Sequence, residues 1–519
     1  MAAEQEQTII EAHDAIPTPL ARYPHTMEVR QLSGYSPRDG GIEPVWDGRL
    51  ALYHPVKSEL TRLGDEAWGV YDAFAQSPQN IAQVAEQTAL DVDGVRTITD
   101  ELKSRWILLT PGQEMNVTIQ PNFGTEAELY LETTEACNFR CPGCATGADR
   151  YLASQARTMK SDTLETLLES TAQSVAEKGM ERLRVKWAGG EALMPGSRRL
   201  LRVGQSVIDS LRDKHPDLDI SQVILTNGSH LSDDVVSELK DWGAHVSVSL
   251  WGVGEENDRA RGVRRDQDKY PNIIKGVERL HEAGVSYNVN HVVTPGNAGQ
   301  FENFVRAMWD PESETFVGRY WNWGGGARPI PLGVTFFRPQ TEAQLEALKR
   351  SGYTQMVEGL RGGFDVTRVL IERGVPIQPL DKIDYLQLFG VIPTPCGSGF
   401  NYLAAGPRGV ASCHEALFSM SDNMGEIRDG ANMVDLANRE YVGRRHQLMG
   451  PNVIFQSNDP TTDLVLALHG GAGCPRTTRA EHDGQLGYAA STAQALYAPI
   501  ILELLSLEAM RRIRVLGNQ

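Results

Sequence analysis

An α/β fold, built on a parallel sheet flanked by helices with a smaller unit on either side, is what this sequence predicts. Three observations carry it. Between residue 127 and about residue 340, short β-rich runs alternate with helical apolar spacing, and repeated βα units make a parallel sheet whose strand ends carry the site. Ahead of them a hairpin cue precedes three helical patterns, and behind them lies a Gly- and Cys-bearing stretch with neither period. At 519 residues the chain also exceeds one ordinary core, which suggests roughly two to four domains.

Composition narrows the class. A hydrophobic content of 41% and a charged content of 23% are those of a globular protein. There is no run of 18 apolar residues and no basic-then-apolar leader, so neither a membrane span nor a signal peptide is expected. A net charge of −17 argues against a partner bound by phosphate neutralisation, so no nucleic acid is expected. Six cysteines are too sparse for a disulfide scaffold. They form two sets, Cys137, Cys141, Cys144 and Cys396, Cys413, Cys474. Two metal sites in a reducing cytoplasm account for that grouping.

Taken in order, residues 1–26 are polar and aperiodic, a mobile tail. Within 27–112, the run 45–53 reads as a hairpin with Asp47-Gly48 at its turn. Helical spacing follows at Ala67, Val70, Tyr71 and Phe74, then Ile81, Val84 and Ala85, then Val95, Ile98 and Leu102; residues 106–109 close the unit as a strand. Strands are expected at 127–132, 183–187, 222–226, 245–250, 287–293 and 333–337. Between them Ser161 or Asp162 caps a helix carrying Leu164, Leu167, Leu168 and Val175. Ser232 caps one with Val235, Val236 and Leu239, and Gly284 ends one with Ile273, Val277 and Leu280. Helical segments at 341–390 connect to a region at 391–480, and apolar-rich helices fill 481–519.

Chemistry concentrates where strands end. The first is followed by Cys137-Asn138-Phe139-Arg140-Cys141-Pro142-Gly143-Cys144. Thiolates suit iron–sulfur clusters or zinc, and three on one loop leave a fourth metal corner open. A structural zinc loop borrowing a distant ligand is the competing reading. After the second strand comes Ala188-Gly189-Gly190-Glu191, where glycines admit a ligand to the backbone and a carboxylate can accept from an ammonium. The third ends in Thr226-Asn227-Gly228, a turn signal. The fourth ends at Ser249, ahead of Asp258-Arg259-Ala260-Arg261-Gly262, and the fifth carries Asn290 and Val292.

This order of motifs resembles the radical S-adenosylmethionine (radical SAM) family, whose signature is Cys-x3-Cys-x2-Cys after the first strand of a partial (β/α)6 barrel, here 113–340. The resemblance implies that Cys137, Cys141 and Cys144 hold a catalytic 4Fe–4S cluster whose open iron chelates S-adenosylmethionine. Gly189, Gly190 and Glu191 would bind its amino group, and Ser249 and Arg261 its carboxylate, with Arg259 as the understudy. Asn290 and Val292 would meet ribose and adenine. One departure is Gly143, where the family carries an aromatic residue; either Phe139 or Trp251 would take over that contact, or the cofactor would bind more loosely. Reductive cleavage would yield a 5′-deoxyadenosyl radical that abstracts hydrogen from an unactivated carbon, with a flavodoxin- or ferredoxin-like protein as electron donor.

Two flanking resemblances sharpen the expectation. The N-terminal unit resembles the winged-helix RiPP recognition element, which adds a leader peptide to a sheet edge; a small packing domain without ligand is the plain alternative. The region around Cys396, Cys413 and Cys474 resembles a SPASM extension reduced to one auxiliary iron–sulfur cluster, with His414, His469 or an open iron as the fourth position. Three cysteines and a histidine are also a zinc set. The implied substrate is a ribosomal precursor peptide, modified or cross-linked. The alternatives are a small-molecule natural-product intermediate, including sulfur insertion into a nucleoside or sugar, and a non-catalytic peptide-binding protein in which all six cysteines hold zinc.

Overall fold

A computed structural model describes residues 21–22, 27–38, 41–54, 59–75, 77–105, 107–110, 125–142, 144, 146, 155–263, 269–310, 330–331, 334–336, 346, 348–375, 377–378, 402–411, 423–425 and 492–514. Cys396, Cys413, Cys474, His414, His469 and Gly143 lie outside the described residues.

The N-terminal unit is built from β1 (Ala21–Arg22), β2 (Met27–Arg38), β3 (Gly41–His54), β4 (Glu59–Thr61), α1 (Asp65–Ala73), α2 (Ile81–Thr88), α3 (Val92–Ser104) and β5 (Leu108–Leu109). Strands β2, β3 and β4 form an antiparallel sheet, and β1 pairs with β5. Two expectations are corrected here. Strands β2 and β3 pair as far as Arg38↔Gly41, so Asp47-Gly48 lies inside the ladder and not at its turn. Gly48 instead lies within β3: the register steps from Arg30↔Arg49 to Gln31↔Asp47, leaving it unpaired with φ +51°. That is a β-bulge with glycine in the left-handed region, the same sequence cue put to another use. Ala21 and Arg22, expected in the tail, pair with Leu109 and Leu108, and the Arg22 guanidinium lies 3.7 Å over the Tyr71 ring. The three expected helices pack through Val70, Tyr71, Phe74, Val84, Val95 and Leu102 onto Leu52 and Leu108. An Asn80–Gln83 capping box starts α2, and the Asp91 side chain caps α3.

The central unit alternates β6 (Glu126–Glu132), α4 (Ser161–Glu177), β7 (Arg182–Ala188), α5 (Pro195–Lys214), β8 (Asp219–Thr226), α6 (Asp233–Asp241), β9 (His245–Ser249), α7 (Glu255–Ala260), α8 (Tyr270–Glu282), β10 (Tyr287–Val293), α9 (Phe301–Trp309), β11 (Ile330–Pro331) and β12 (Val334–Phe336). Six parallel strands run in the order β6-β7-β8-β9-β10-β12, the partial-barrel arrangement expected. The strands bury one face against the helices through Leu129, Leu131, Val185, Trp187, Ile224, Val246, Val248, Val289 and Val293. Lys160, rather than Ser161 or Asp162, is the N-cap of α4, while Ser232 does cap α6, without a side-chain bond to its backbone. Gly284 closes α8 with φ +71°.

After the barrel the chain forms α10 (Tyr353–Glu372), β13 (Ile377–Gln378), β14 (Tyr402–Gly406), β15 (Gly409–Ala411), β16 (Asn423–Gly425) and α11 (Thr492–Arg514). Strand β14 returns to pair in parallel with β6, from Tyr402↔Glu128 to Ala405↔Leu131, so the sheet continues β6-β14-β15-β16. Tyr130, Ala188, Ala404 and Ala411 pack together across that seam. Helix α10 packs on α9 and α11. Among the described residues no helix is long and apolar enough to cross a membrane.

His291 on β10 gives this core a pH dependence. Its Nδ1 lies 3.0 Å from the Leu250 carbonyl and so carries the proton, its ring stacks 4.0 Å from Phe304, and Nε2 has no partner. Burial pushes its pKa from 6.5 down to about 3. In the unfolded chain the ring titrates near its ordinary value, so on acidification the unfolded state gains a proton that the folded state refuses. Stability present above about pH 6.5 is therefore lost as pH falls, by about 2 kcal/mol at roughly pH 5. His291→Gln, which keeps a donor, should flatten this slope in denaturant titrations at the two pH values; an unchanged slope would refute the assignment.

Candidate active site

The cysteine loop leaves the carboxyl end of β6 and is shaped by the turn after β7. The Gly190 N–H donates to the Thr134 carbonyl at 2.6 Å and the Glu191 N–H to the Ala136 carbonyl at 2.9 Å. The two backbones touch so closely that only glycine fits: a Cβ on Gly190 would stand 2.1 Å from the Ala136 oxygen, and one on Gly189, whose φ is +139°, 2.4 Å from the Thr134 oxygen. Glu191 is buried. Its Oε1 accepts from the Leu193 N–H (2.9 Å) and the Thr226 hydroxyl (2.7 Å), and its Oε2 accepts from the Asn227 N–H (2.7 Å). The carboxylate thus ties the β7 turn to the end of β8, and the backbone of the Gly-Gly pair is what faces the loop.

Asn227, noted in the sequence only as part of a turn, reaches over the loop. Its Nδ2 donates to Asn138 Oδ1 at 2.7 Å and lies 3.9 Å from Cys137 Sγ, while Asn138 Nδ2 donates to Ser229. The Phe139 N–H points at Cys137 Sγ (3.4 Å), and the Cys144 N–H donates to the Cys141 carbonyl. All three thiols are free and half-buried. Burial, with the Glu191 charge nearby, pushes the Cys137 thiol up to about 12. Cys141 is raised by burial and partly offset by the Arg261 guanidinium. Among the described residues no three His, Cys, Asp or Glu side chains converge tightly enough to hold one metal ion.

Arg261, at the end of α7, is brought to this loop. It is 4% exposed, its guanidinium lies 4.6 Å from the Phe139 ring centre and 5.9 Å from that of Trp251, and Nη1 donates to the Ser249 carbonyl at 2.6 Å. Its Nε and the Trp251 Nε1 are buried donors without a protein partner, a setting that suits an anion or another acceptor at the loop. Arg259 stays on the surface, paired with Glu256. Ser249 and Asn290 are register partners on β9 and β10; with Val292 they are half-buried, off the face that Val248, Val289 and Val293 turn to the helices. Phe139 and Trp251 flank Arg261 beside the loop. The residues present fit a cluster with a bound cofactor: three thiols on one loop, a backbone cradle too narrow for any Cβ, and a buried arginine with a free donor.

Two groups were not foreseen. Glu135, two residues before the first cysteine, is 3% exposed and is gripped by Arg408 from the β14–β15 turn. Glu132, ending β6, is buried with Oε1 unpartnered; burial first, then the Glu135 charge, raises its pKa well above the carboxylate range. The signal for Glu132 was present, an acid closing an apolar strand. None marked Arg408, which lies far along the chain.

Residues 131–308 match the family model of the Radical SAM superfamily. A serine-type anaerobic sulfatase-maturating enzyme of Bacteroides thetaiotaomicron is 26% identical over 177 residues, covering 33% of this chain and 41% of that protein. A GTP 3′,8-cyclase of Haemophilus influenzae is 29% identical over 189 residues, covering 35% and 50%. The chain spans about half the length of the curated relatives it matches. The solved structure of native anSMEcpe with bound AdoMet superposes with a TM-score of 0.52 at 16% identity, over 73% of this chain and 98% of that one; at that identity the likeness is one of fold.

Proposed function

We propose, from the match of residues 131–308 to the Radical SAM superfamily, that the chain is a radical SAM enzyme that modifies a ribosomal precursor peptide by abstracting hydrogen from an unactivated carbon. The observation that carries the cofactor half is the buried guanidinium of Arg261 beside Cys141, its Nε without a protein partner, backed by the Gly189-Gly190 turn. Cys137, Cys141 and Cys144 would hold a 4Fe–4S cluster. When bound and reduced, that group supplies the electron that cleaves S-adenosylmethionine and so the 5′-deoxyadenosyl radical. Arg261 would grip the methionine carboxylate through Nε, as guanidinium donors do. With the Glu191 carboxylate engaged by Leu193, Thr226 and Asn227, the methionine ammonium would be left to carbonyls of the Gly-Gly turn. Ser249, Asn290 and Val292 would line the nucleoside side, and Phe139 and Trp251 would exclude water around the guanidinium.

The peptide half rests on the N-terminal unit. Its antiparallel sheet has β4 at one edge, three helices behind it and a closing strand, an arrangement that supports recognition-element-like addition of a peptide strand. A relative named for maturing sulfatases, which are themselves proteins, also favours a polypeptide substrate. The relatives named as GTP 3′,8-cyclases favour the second reading, a small nucleotide-like substrate. Incubating the anaerobic, reduced enzyme with peptides from short reading frames beside its gene, and with purine nucleotides, separates the two by mass spectrometry. Loss of two hydrogens from a peptide supports the first; turnover of nucleotides with every peptide unchanged overturns it.

Cys396, Cys413 and Cys474 would hold one auxiliary iron–sulfur cluster, and a small ferredoxin- or flavodoxin-like protein would deliver electrons. Cys474→Ala should then lose the iron of the second site and keep uncoupled formation of 5′-deoxyadenosine, while modified product disappears. Product at the wild-type rate would leave the second cluster without a part in turnover.

A further inference from the structure

The Glu135–Arg408 pair joins two parts of the chain that the chemistry needs in register. Glu135 lies between Thr134 and Ala136, whose carbonyls accept from the β7 turn, and two residues before Cys137. Arg408 lies 273 residues downstream in the turn between β14 and β15. The pair is bidentate: Nε donates to Glu135 Oε1 and Nη2 to Oε2 at 3.1 Å. The same carboxylate accepts the Arg157 N–H at 2.9 Å, and the Glu135 N–H returns a bond of 2.9 Å to the Arg157 carbonyl. Segment 134–136 is therefore held from one side by Gly190 and Glu191 and from the other by Arg408 and Arg157.

Three donors on one buried carboxylate, one at Oε1 and two at Oε2, narrow its geometry. Planar guanidinium matched to carboxylate fixes direction as well as distance, which a lysine cannot do. Glu135 is 3% exposed, so loss of its partner strands a buried charge. Glu132 faces the same cation: its charged form is favoured by Arg408 and opposed by Glu135. Arg408 itself stands only five residues before Cys413.

We propose that Arg408 is a positioning residue for the cysteine loop, acting through Glu135, so that docking of β14 and β15 against β6 sets the loop that carries Cys137. The C-terminal extension thereby adjusts the cofactor site directly, through one ion pair, besides whatever cluster it holds. The inference rests on the reading of Cys137, Cys141 and Cys144 as cluster ligands.

The test compares full-length wild type, R408Q, R408K and the double variant E135Q/R408Q. In the metal-free chain, hydrogen exchange at the amides of Glu135, Gly190 and Glu191 should rise about tenfold in R408Q, a loss of about 1.4 kcal/mol in local closing. In anaerobically reconstituted protein, R408Q should retain its iron, bind S-adenosylmethionine about tenfold more weakly and lose the wild-type change in the reduced cluster's paramagnetic resonance spectrum when that cofactor is added. R408K, charged but without the fork, should fall between, and the double variant should be no worse than R408Q. Should R408Q fail to fold, R408K decides. Exchange, affinity and spectrum unchanged from an iron-loaded wild type overturn the inference alone, whereas a wild-type chain that takes up no iron overturns the cluster reading and the inference with it.

Discussion

Cys141→Ala should reduce 5′-deoxyadenosine formation from S-adenosylmethionine to background, with loss of the iron bound at the first site. Cys141 lies at the centre of the triad, four residues after Cys137 and three before Cys144, and it is the thiol beside Arg261. Removing it leaves two thiols on the loop, too few for a cluster held at three corners. The fold should survive, because Cys141 only borders the main core and no backbone bond depends on its side chain. Iron and sulfide counts and chromatography of the nucleoside product check this, with circular dichroism to confirm folding. A folded variant with wild-type yield would remove the loop from the chemistry.

Gly190→Ala should be nearly as damaging, for a steric reason. The added methyl would meet the Ala136 oxygen at 2.1 Å, the Ala136 carbonyl carbon at 2.4 Å and the Glu135 oxygen at 2.8 Å, all of them backbone atoms. Backbone cannot swing aside as a side chain can, so the loop must move off the β7 turn, breaking the bonds from Gly190 and Glu191 to Thr134 and Ala136. Overpacking of this kind costs about 1–3 kcal/mol, and the displaced segment leads straight into Cys137. The expected result is a destabilised protein that cleaves S-adenosylmethionine at least a hundredfold more slowly, a loss of about 2.7 kcal/mol in the barrier. Gly196→Ala, on α5 with nothing within 4 Å of the new atom, is the control and should be neutral or slightly stabilising. Equal behaviour of the two variants would contradict the tight approach.

Much of this was legible because it is local. Alternation placed the six barrel strands to within a few residues, α8 followed from 3.6-residue spacing closed by Gly284, and α10 falls within the helical segments expected after the barrel. Asp47-Gly48 misled because a dipeptide that favours positive φ serves a bulge as well as a turn, and a second Asp-Gly pair at 39–40 stood between the strands that actually pair. Arg261 and Arg259 are alike in sequence; what separates them is that one side chain turns inward past Phe139 while the other meets Glu256 at the surface. Glu191 was legible as a site residue, but not that its carboxylate would be engaged by the end of β8. The Glu135–Arg408 clasp was invisible, since it depends on β14 returning beside β6 across most of the barrel, and pairing of distant strands leaves no periodic trace.

The central claim is that the thiols of Cys137, Cys141 and Cys144 seat a redox-active iron–sulfur cluster next to an S-adenosylmethionine site formed by Gly189, Gly190 and Arg261. Its most direct measurement is quantification of 5′-deoxyadenosine and methionine after the full-length chain, reconstituted without oxygen and assayed for iron and sulfide, meets S-adenosylmethionine and strong reductant. Equal amounts of the two products, dependent on iron and reductant, are the predicted result. An intact cofactor in the presence of protein that carries zinc, or no metal at all, would contradict it.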